Sequence, residues 1–265
     1  MRDNTSELFF QLVRYAIDER NPAPQIGAEE WEAMYDMARK QSITGVVFEA
    51  VPRMDQDVSI PRQLKMKWFF QVNKIKNRNI LVNQCSAKLV DMFRQEGFEC
   101  CVLKGQGNAM MYPNPYIRIS GDIDLQVKGG RDMVVQYVKK RFPHTKTAYQ
   151  HVDYPIFKKV PVEVHYLPVY MNNPVYNRRL KKWFDDQSDE MYGHEVTLPD
   201  DAGQIAVPSL RFNLVFQMAH LMHHFLDEGI GLRHMLDYYY LLQRVYQEKL
   251  SDGLADLFDR LGLRN

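Results

Sequence analysis

The segment Gly121-Asp122-Ile123-Asp124-Leu125-Gln126-Val127 constrains the fold more than any other part of the chain. Ile123, Leu125 and Val127 alternate with polar residues, the period-two pattern of a strand with one apolar face turned to a core. The other face carries the acids, and residues two apart on a strand lie roughly 6 to 7 Å apart. Carboxylates at that spacing can converge on one hard cation or on a pair of cations. Without a cation the acids repel, and one of them should hold its proton more tightly than usual. Taken alone, the pattern also fits a solvated strand edge.

Just upstream, Phe98-Glu99-Cys100-Cys101-Val102-Leu103 reads as a short apolar strand running into Lys104-Gly105-Gln106-Gly107 and then a helix. A strand-to-helix turn presents unpaired backbone N–H groups and the positive end of the helix dipole. Gly105 would let a phosphate approach the backbone, and Lys104 would add a positive charge. Two other phosphate motifs are excluded: a dinucleotide fingerprint would need glycine where Met110 stands, and a P-loop would need lysine where Gln106 stands. Further on, Val160-Pro161-Val162-Glu163-Val164-His165 is a second alternating stretch, with Glu163 and His165 on its polar face. If this strand pairs beside the first, Glu163 reaches the same cation as Asp122 and Asp124.

These residues resemble the nucleotidyltransferase superfamily of the DNA polymerase β type. Within it, Leu103-Lys104-Gly105, Tyr112-Pro113, Arg118, Gly121-Asp122-Ile123-Asp124-Leu125 and Val162-Glu163-Val164-His165-Tyr166 resemble the uncharacterised bacterial nucleotidyltransferase family. The resemblance runs over most of the chain, with two departures: Gln106 stands where the superfamily usually has glycine or serine, and the interval from Gly105 to Asp122 is longer than its norm. It implies an α+β fold, a nucleotidyltransferase-type mixed β-sheet flanked by N-terminal helices and a C-terminal helical domain. It implies Mg²⁺ as cofactor, two ions on Asp122, Asp124 and Glu163, with Glu163 either a ligand or the base. The partner would be a nucleoside triphosphate, met by Lys104, Gly105, Gln106, Arg118, His220, Arg233 and Asp237, whose NMP group passes to an acceptor hydroxyl. The competing readings are a toxin-like enzyme acting on protein or tRNA and a non-catalytic nucleotide-binding relative.

A net charge of +1 over 265 residues lacks the basic surplus of a dedicated nucleic-acid binder, which favours a small-molecule or protein acceptor over DNA, and of these a small molecule is expected. Three cysteines make no disulfide framework, and neither a leader-like N-terminus nor a membrane-length apolar run is visible, so a soluble, cytoplasmic protein is expected.

Helical spacing is read over residues 5–20, from Ala28 through Trp31 and Ala38, from Thr44 to Val51, and over a long stretch opened by Pro61. Residues 1–96 are therefore read as a helical region and 97–170 as the core sheet, with a helix from Arg131 to Arg141. Residues 171–207 are read as an excursion of turns and 208–265 as C-terminal helices, the first capped by Ser209. The ending Leu261-Gly262-Leu263-Arg264-Asn265 is abrupt, and the resemblance implies further helices beyond it. His220 and His224 share a helix face, but Leu221 occupies the glutamate position of a zinc-protease motif. Those two remain candidates for lining a pocket, while His223 fits a helix interface. Arg233 and Asp237, also four apart, fit either a surface ion pair or a substrate-facing arginine oriented by the acid.

Overall fold

The computed structural model describes residues 2–54, 60–227 and 229–264, and its α+β chain divides into two compact units. The first comprises residues 1–79, 114–119 and 231–233; the second comprises 80–113, 120–230 and 234–265.

The first unit contains helices α1 (Arg2–Ile17), α2 (Trp31–Lys40) and α3 (Thr44–Ala50), and the opening half of α4 (Arg62–Gln95). Each begins or ends where the sequence breaks its periodicity: α1 stops before Asn21-Pro22, α3 runs into Pro52, and α4 starts after Pro61. Its core is aromatic. Trp31, Tyr35 and Phe48 surround Trp68 at ring-centroid distances of 6.4, 5.3 and 5.6 Å, and the indole N–H donates to the Thr44 carbonyl at 3.0 Å. Asn79 fixes residues 114–119 by donating to the carbonyls of Tyr116 and Arg118 at 2.9 and 2.8 Å. Gly45 lets that loop close, because a Cβ there would lie 2.6 Å from the Ile117 carbonyl oxygen.

The second unit is built on a four-stranded sheet of β1 (Cys100–Leu103), β2 (Ile123–Val127), β3 (His151–Asp153) and β4 (Val162–His165), in the order β1-β2-β4-β3. β1 is antiparallel to β2, β2 parallel to β4, and β4 antiparallel to β3. The short α5 (Gly105–Ala109) follows β1, and α6 (Gly130–Arg141) lies in the crossover from β2 to β4. A parallel pair needs such a crossover, which separates Asp124 and Glu163 in sequence but sets them directly opposite in register.

Both faces of the sheet are covered. Cys100, Val102, Ile123, Leu125 and Val164 pack with residues of the second half of α4, such as Leu89 and Phe93, and with Val134 and Val138 of α6. Cys101 and Leu103, pointing the other way, pack with residues from α7 (Pro174–Asp186), α8 (Ser188–Tyr192), α9 (Leu210–Asp227) and α11 (Leu254–Leu261). This corrects the reading of a half-buried β2: all five of its residues are buried, because the later helices close over the face that carries Asp124 and Gln126.

Residues 171–207, expected to be turns, instead form α7, α8 and a hairpin of β5 (His194–Leu198) and β6 (Gly203–Val207). Asn173 caps α7, accepting from the N–H groups of Val175 and Tyr176 at 2.9 and 3.2 Å, with Pro174 in the first turn. Ser209 caps α9 as expected, its hydroxyl accepting from the Phe212 N–H at 3.1 Å. The remaining helix, α10, spans Leu232–Gln247. No helix among the described residues is long and apolar enough to cross a membrane.

Candidate active site

The site assembles where β1 ends, β2 begins and β4 runs beside it. Asp122 immediately precedes β2, Asp124 is its second residue, and Glu163 lies opposite Asp124. One ligand oxygen from each of the three carboxylates falls within 4.8 Å of those of the other two. Lys104, the residue after β1, holds its Nζ 3.3 Å from Asp124 Oδ2. It does so from a backbone conformation of φ 52°, ψ −131°, with φ 45° at Gly105 beside it. An L-residue in such a region costs on the order of 1–3 kcal/mol, so the surrounding fold imposes the turn that aims this lysine.

Charge is distributed unevenly over the three acids. Asp124 is 5 % exposed, and burial disfavours its charged form. The Lys104 ammonium and a hydrogen bond from His165 outweigh that burial and hold its carboxyl well below the usual carboxylate range. Asp122 is pushed the other way, first by the neighbouring charge of Asp124 and then by burial. His165 Nε2 lies 3.0 Å from Asp124 Oδ1 and 3.3 Å from Glu163 Oε2. Burial opposes a charge on this imidazole, but the two carboxylates prevail and raise it to about 9. Lys104 and His165 therefore balance Asp124, while the excess negative charge is felt at Asp122. A divalent cation relieves such an excess, and three hard oxygen donors within this distance suit Mg²⁺.

On the far side of Lys104, its Nζ lies 2.8 Å from His220 Nε2. Burial, then the lysine charge, then His224 push His220 well below the ordinary histidine range, so His220 accepts from the ammonium as a neutral ring. His224 Nε2 stands 3.1 Å from the same nitrogen. A row thus runs from Glu163 through His165, Asp124 and Lys104 to His220.

Of the other residues singled out in the sequence, Gln106 has a buried side chain that donates to Asn83, which leaves its backbone N–H as the group a phosphate could use. Asp237 is buried in the second unit and accepts from the Tyr112 hydroxyl at 2.7 Å. Arg118 and Arg233 belong to the first unit, where Arg118 is buried and Arg233 donates to the Ile119 carbonyl at 3.3 Å. His223 stacks edge-on against Tyr170, which lies in the segment between β4 and α7. Two members of the cluster, His165 and His151, were given no role from the sequence. His165 carried a signal, since it falls two residues after Glu163 on the same strand face. His151 carried none, because only the β3–β4 pairing sets it opposite His165.

Compared with known proteins, residues 27–265 match the family described as uncharacterised nucleotidyltransferase, and the chain belongs to that family. It is therefore a nucleotidyltransferase by family. Among solved structures it is similar to the crystal structure of an antigenic nucleotidyltransferase-like protein from Paracoccidioides brasiliensis. The two are 12% identical with a TM-score of 0.39, over 68% of this chain and 92% of that one. No curated protein matches.

Proposed function

We propose that the protein moves an NMP group from a nucleoside triphosphate to a hydroxyl of a small-molecule acceptor, with Mg²⁺ as cofactor and pyrophosphate as the second product, in the manner of the DNA polymerase β-type superfamily. The observation that carries this reading is the parallel pairing that sets Asp124 against Glu163, with Asp122 in reach of both. The three carboxylates would hold the metal. When bound, Mg²⁺ supplies charge neutralisation for the triphosphate and a lowered pKa for the acceptor hydroxyl.

The chain's own groups do the rest. Lys104 pairs with Asp124 and fixes the orientation of that carboxylate; the same ammonium, three donors on one nitrogen, can donate to a phosphate oxygen as well. The first-turn N–H groups after Gly105 offer donors in the same place. His220, neutral, adds no charge of its own beside the Lys104 ammonium. His165 buttresses Asp124 and Glu163 from behind, which holds the acids in position before substrate arrives. In the transfer, the acceptor hydroxyl would give its proton to Glu163, or to water beside it, as its oxygen forms a bond to the α-phosphorus; the bond from that phosphorus to the bridging oxygen breaks, and pyrophosphate carries that oxygen away. The near-neutral net charge supports a small acceptor over a nucleic acid.

The test is calorimetry and label transfer. Asp122→Asn and Asp124→Asn should each weaken Mg²⁺-dependent triphosphate binding or turnover by at least ~100-fold, beyond what the loss of an outer partner of a metal ligand costs. Unchanged binding in both variants would overturn the metal assignment. Incubating each α-labelled triphosphate with cell extract should put label into small molecules; label in RNA or protein would overturn the acceptor class.

A further inference from the structure

We propose a second cation site, made of His151, Glu163 and His165, that takes a transition-metal ion such as Zn²⁺ rather than Mg²⁺. The antiparallel pairing of β3 and β4 sets His151 directly opposite His165 at the edge of the sheet, with Glu163 two residues before His165 on the same strand. His151 Nδ1 lies 3.2 Å from Glu163 Oε2, and His165 Nε2 lies 3.3 Å from that same oxygen. One ligand atom from each of the three falls within 4.8 Å of those of the others. Two zinc bonds of about 2.0–2.1 Å meeting at a tetrahedral angle place their ligand atoms about 3.3–3.4 Å apart, and the two contacts, at 3.2 and 3.3 Å, lie at the short end of that spacing.

Two further observations point the same way. His151 Nδ1 is a buried atom with no hydrogen-bond partner, although Oε2 is 3.2 Å away. The nitrogen and the oxygen approach each other without the alignment an N–H donor requires, as two ligands of one ion do. At His165 the other ring nitrogen, Nδ1, faces the Leu167 carbonyl at 3.4 Å, the kind of backbone partner that fixes a ligating imidazole and leaves Nε2 for the metal. A cation on Nε2 takes the place of the hydrogen now shared with Asp124 Oδ1. Two imidazoles with one carboxylate select a borderline ion such as Zn²⁺ over a hard one. Glu163 belongs to both clusters, so an ion on the histidines engages Oε2 of a carboxylate that also faces Asp122 and Asp124, and couples the candidate active site to transition-metal supply. The inference stands on this geometry and does not need the nucleotidyl-transfer reading.

The experiment is a Co²⁺ titration of the metal-stripped full chain, followed by visible absorption, with Zn²⁺ and Mg²⁺ as competitors. One equivalent of Co²⁺ should give the intense bands of a low-coordinate site with nitrogen ligands, displaced by Zn²⁺ and untouched by excess Mg²⁺. His151→Ala should lose about 100-fold in Co²⁺ affinity or more. His224→Ala and Asp122→Asn should keep the spectrum, the latter while losing Mg²⁺-dependent triphosphate binding, which separates this site from the acid cluster. In the wild-type protein, Co²⁺ should broaden the ring signals of His151 and His165 before those of His224, an answer that needs no substitution. Absence of the bands, equal affinity in wild type and His151→Ala, or loss of the bands in His224→Ala alone would overturn the proposal.

Discussion

Trp68 in the first unit and Asp124 in the second are both buried, yet their surroundings have opposite chemistry. Around Trp68 the neighbours are aromatic rings, and its one polar atom is answered by a backbone carbonyl. Around Asp124 the neighbours are Lys104, His165 and, on the paired strand, Glu163. The first arrangement gains from the burial of its rings. The second works against burial, since each charge is tolerated only through the opposite charge beside it. Stability and chemistry are thus invested in separate places, and substitutions should divide along the same line.

The largest effect on stability is expected from Trp68→Ala. Removing a fully buried indole should cost about 3–5 kcal/mol and lower the midpoint of denaturant unfolding, while folded protein keeps its Mg²⁺-dependent triphosphate affinity. Loss of that affinity in folded Trp68→Ala protein would break the division proposed here.

Acidity should reveal the second region without any substitution. In metal-free protein His165 holds its proton up to about 9, against 6.5 for the unsupported ring. Over that interval the folded chain binds a proton that the unfolded chain has lost, so its contribution is complete below about pH 6.5 and disappears as pH rises through 9. His220 is depressed below 6.5, so its contribution is present above that value and is lost as pH falls below it. Chemical unfolding in the presence of chelator should show greatest stability near neutrality. His165→Gln should flatten the alkaline limb, and a limb unchanged by that substitution would remove His165 from this role.

The smallest effect belongs to the surface. Arg94 and Glu195 approach to 2.6 Å, but both side chains are more than a third exposed. Arg94→Ala should change stability by less than about 1 kcal/mol and leave nucleotide binding alone. A larger loss in unfolding titrations would mean that surface pairs matter here as much as the buried ones.

Much of this was legible in the chain because strands and helices announce themselves by period. Ile123, Leu125 and Val127 fixed β2, Val162 and Val164 fixed β4, and Trp31, Met34 and Ala38 fixed α2. What the pattern could not give was anything set by pairing or by closure. The face of β2 that bears Asp124 looked half open, because nothing local says that α7 to α9 return to cover it. That the Gln106 side chain turns inward did not show, because α5 is too short for its inward face to appear as a period. Residues 171–207 looked like turns although Asn173-Pro174 is a good helix start and Leu180, Trp183 and Phe184 have helical spacing; the charged residues between them obscured it. Arg118 and Arg233 joined the first unit through hydrogen-bond partners 39 and 114 residues away, which no local window contains.

The pairing of β2 with β4 also makes the candidate site a gauge of strand alignment. A slip of one residue would set a valine, 162 or 164, opposite Asp124 and turn Glu163 to the other face of the sheet. Two near-identical compact forms would then differ by the presence or absence of the whole carboxylate cluster. Recovery of cation binding during refolding would accordingly report the closing of one particular crossover, after collapse and helix formation have already given most of the signal that other probes see.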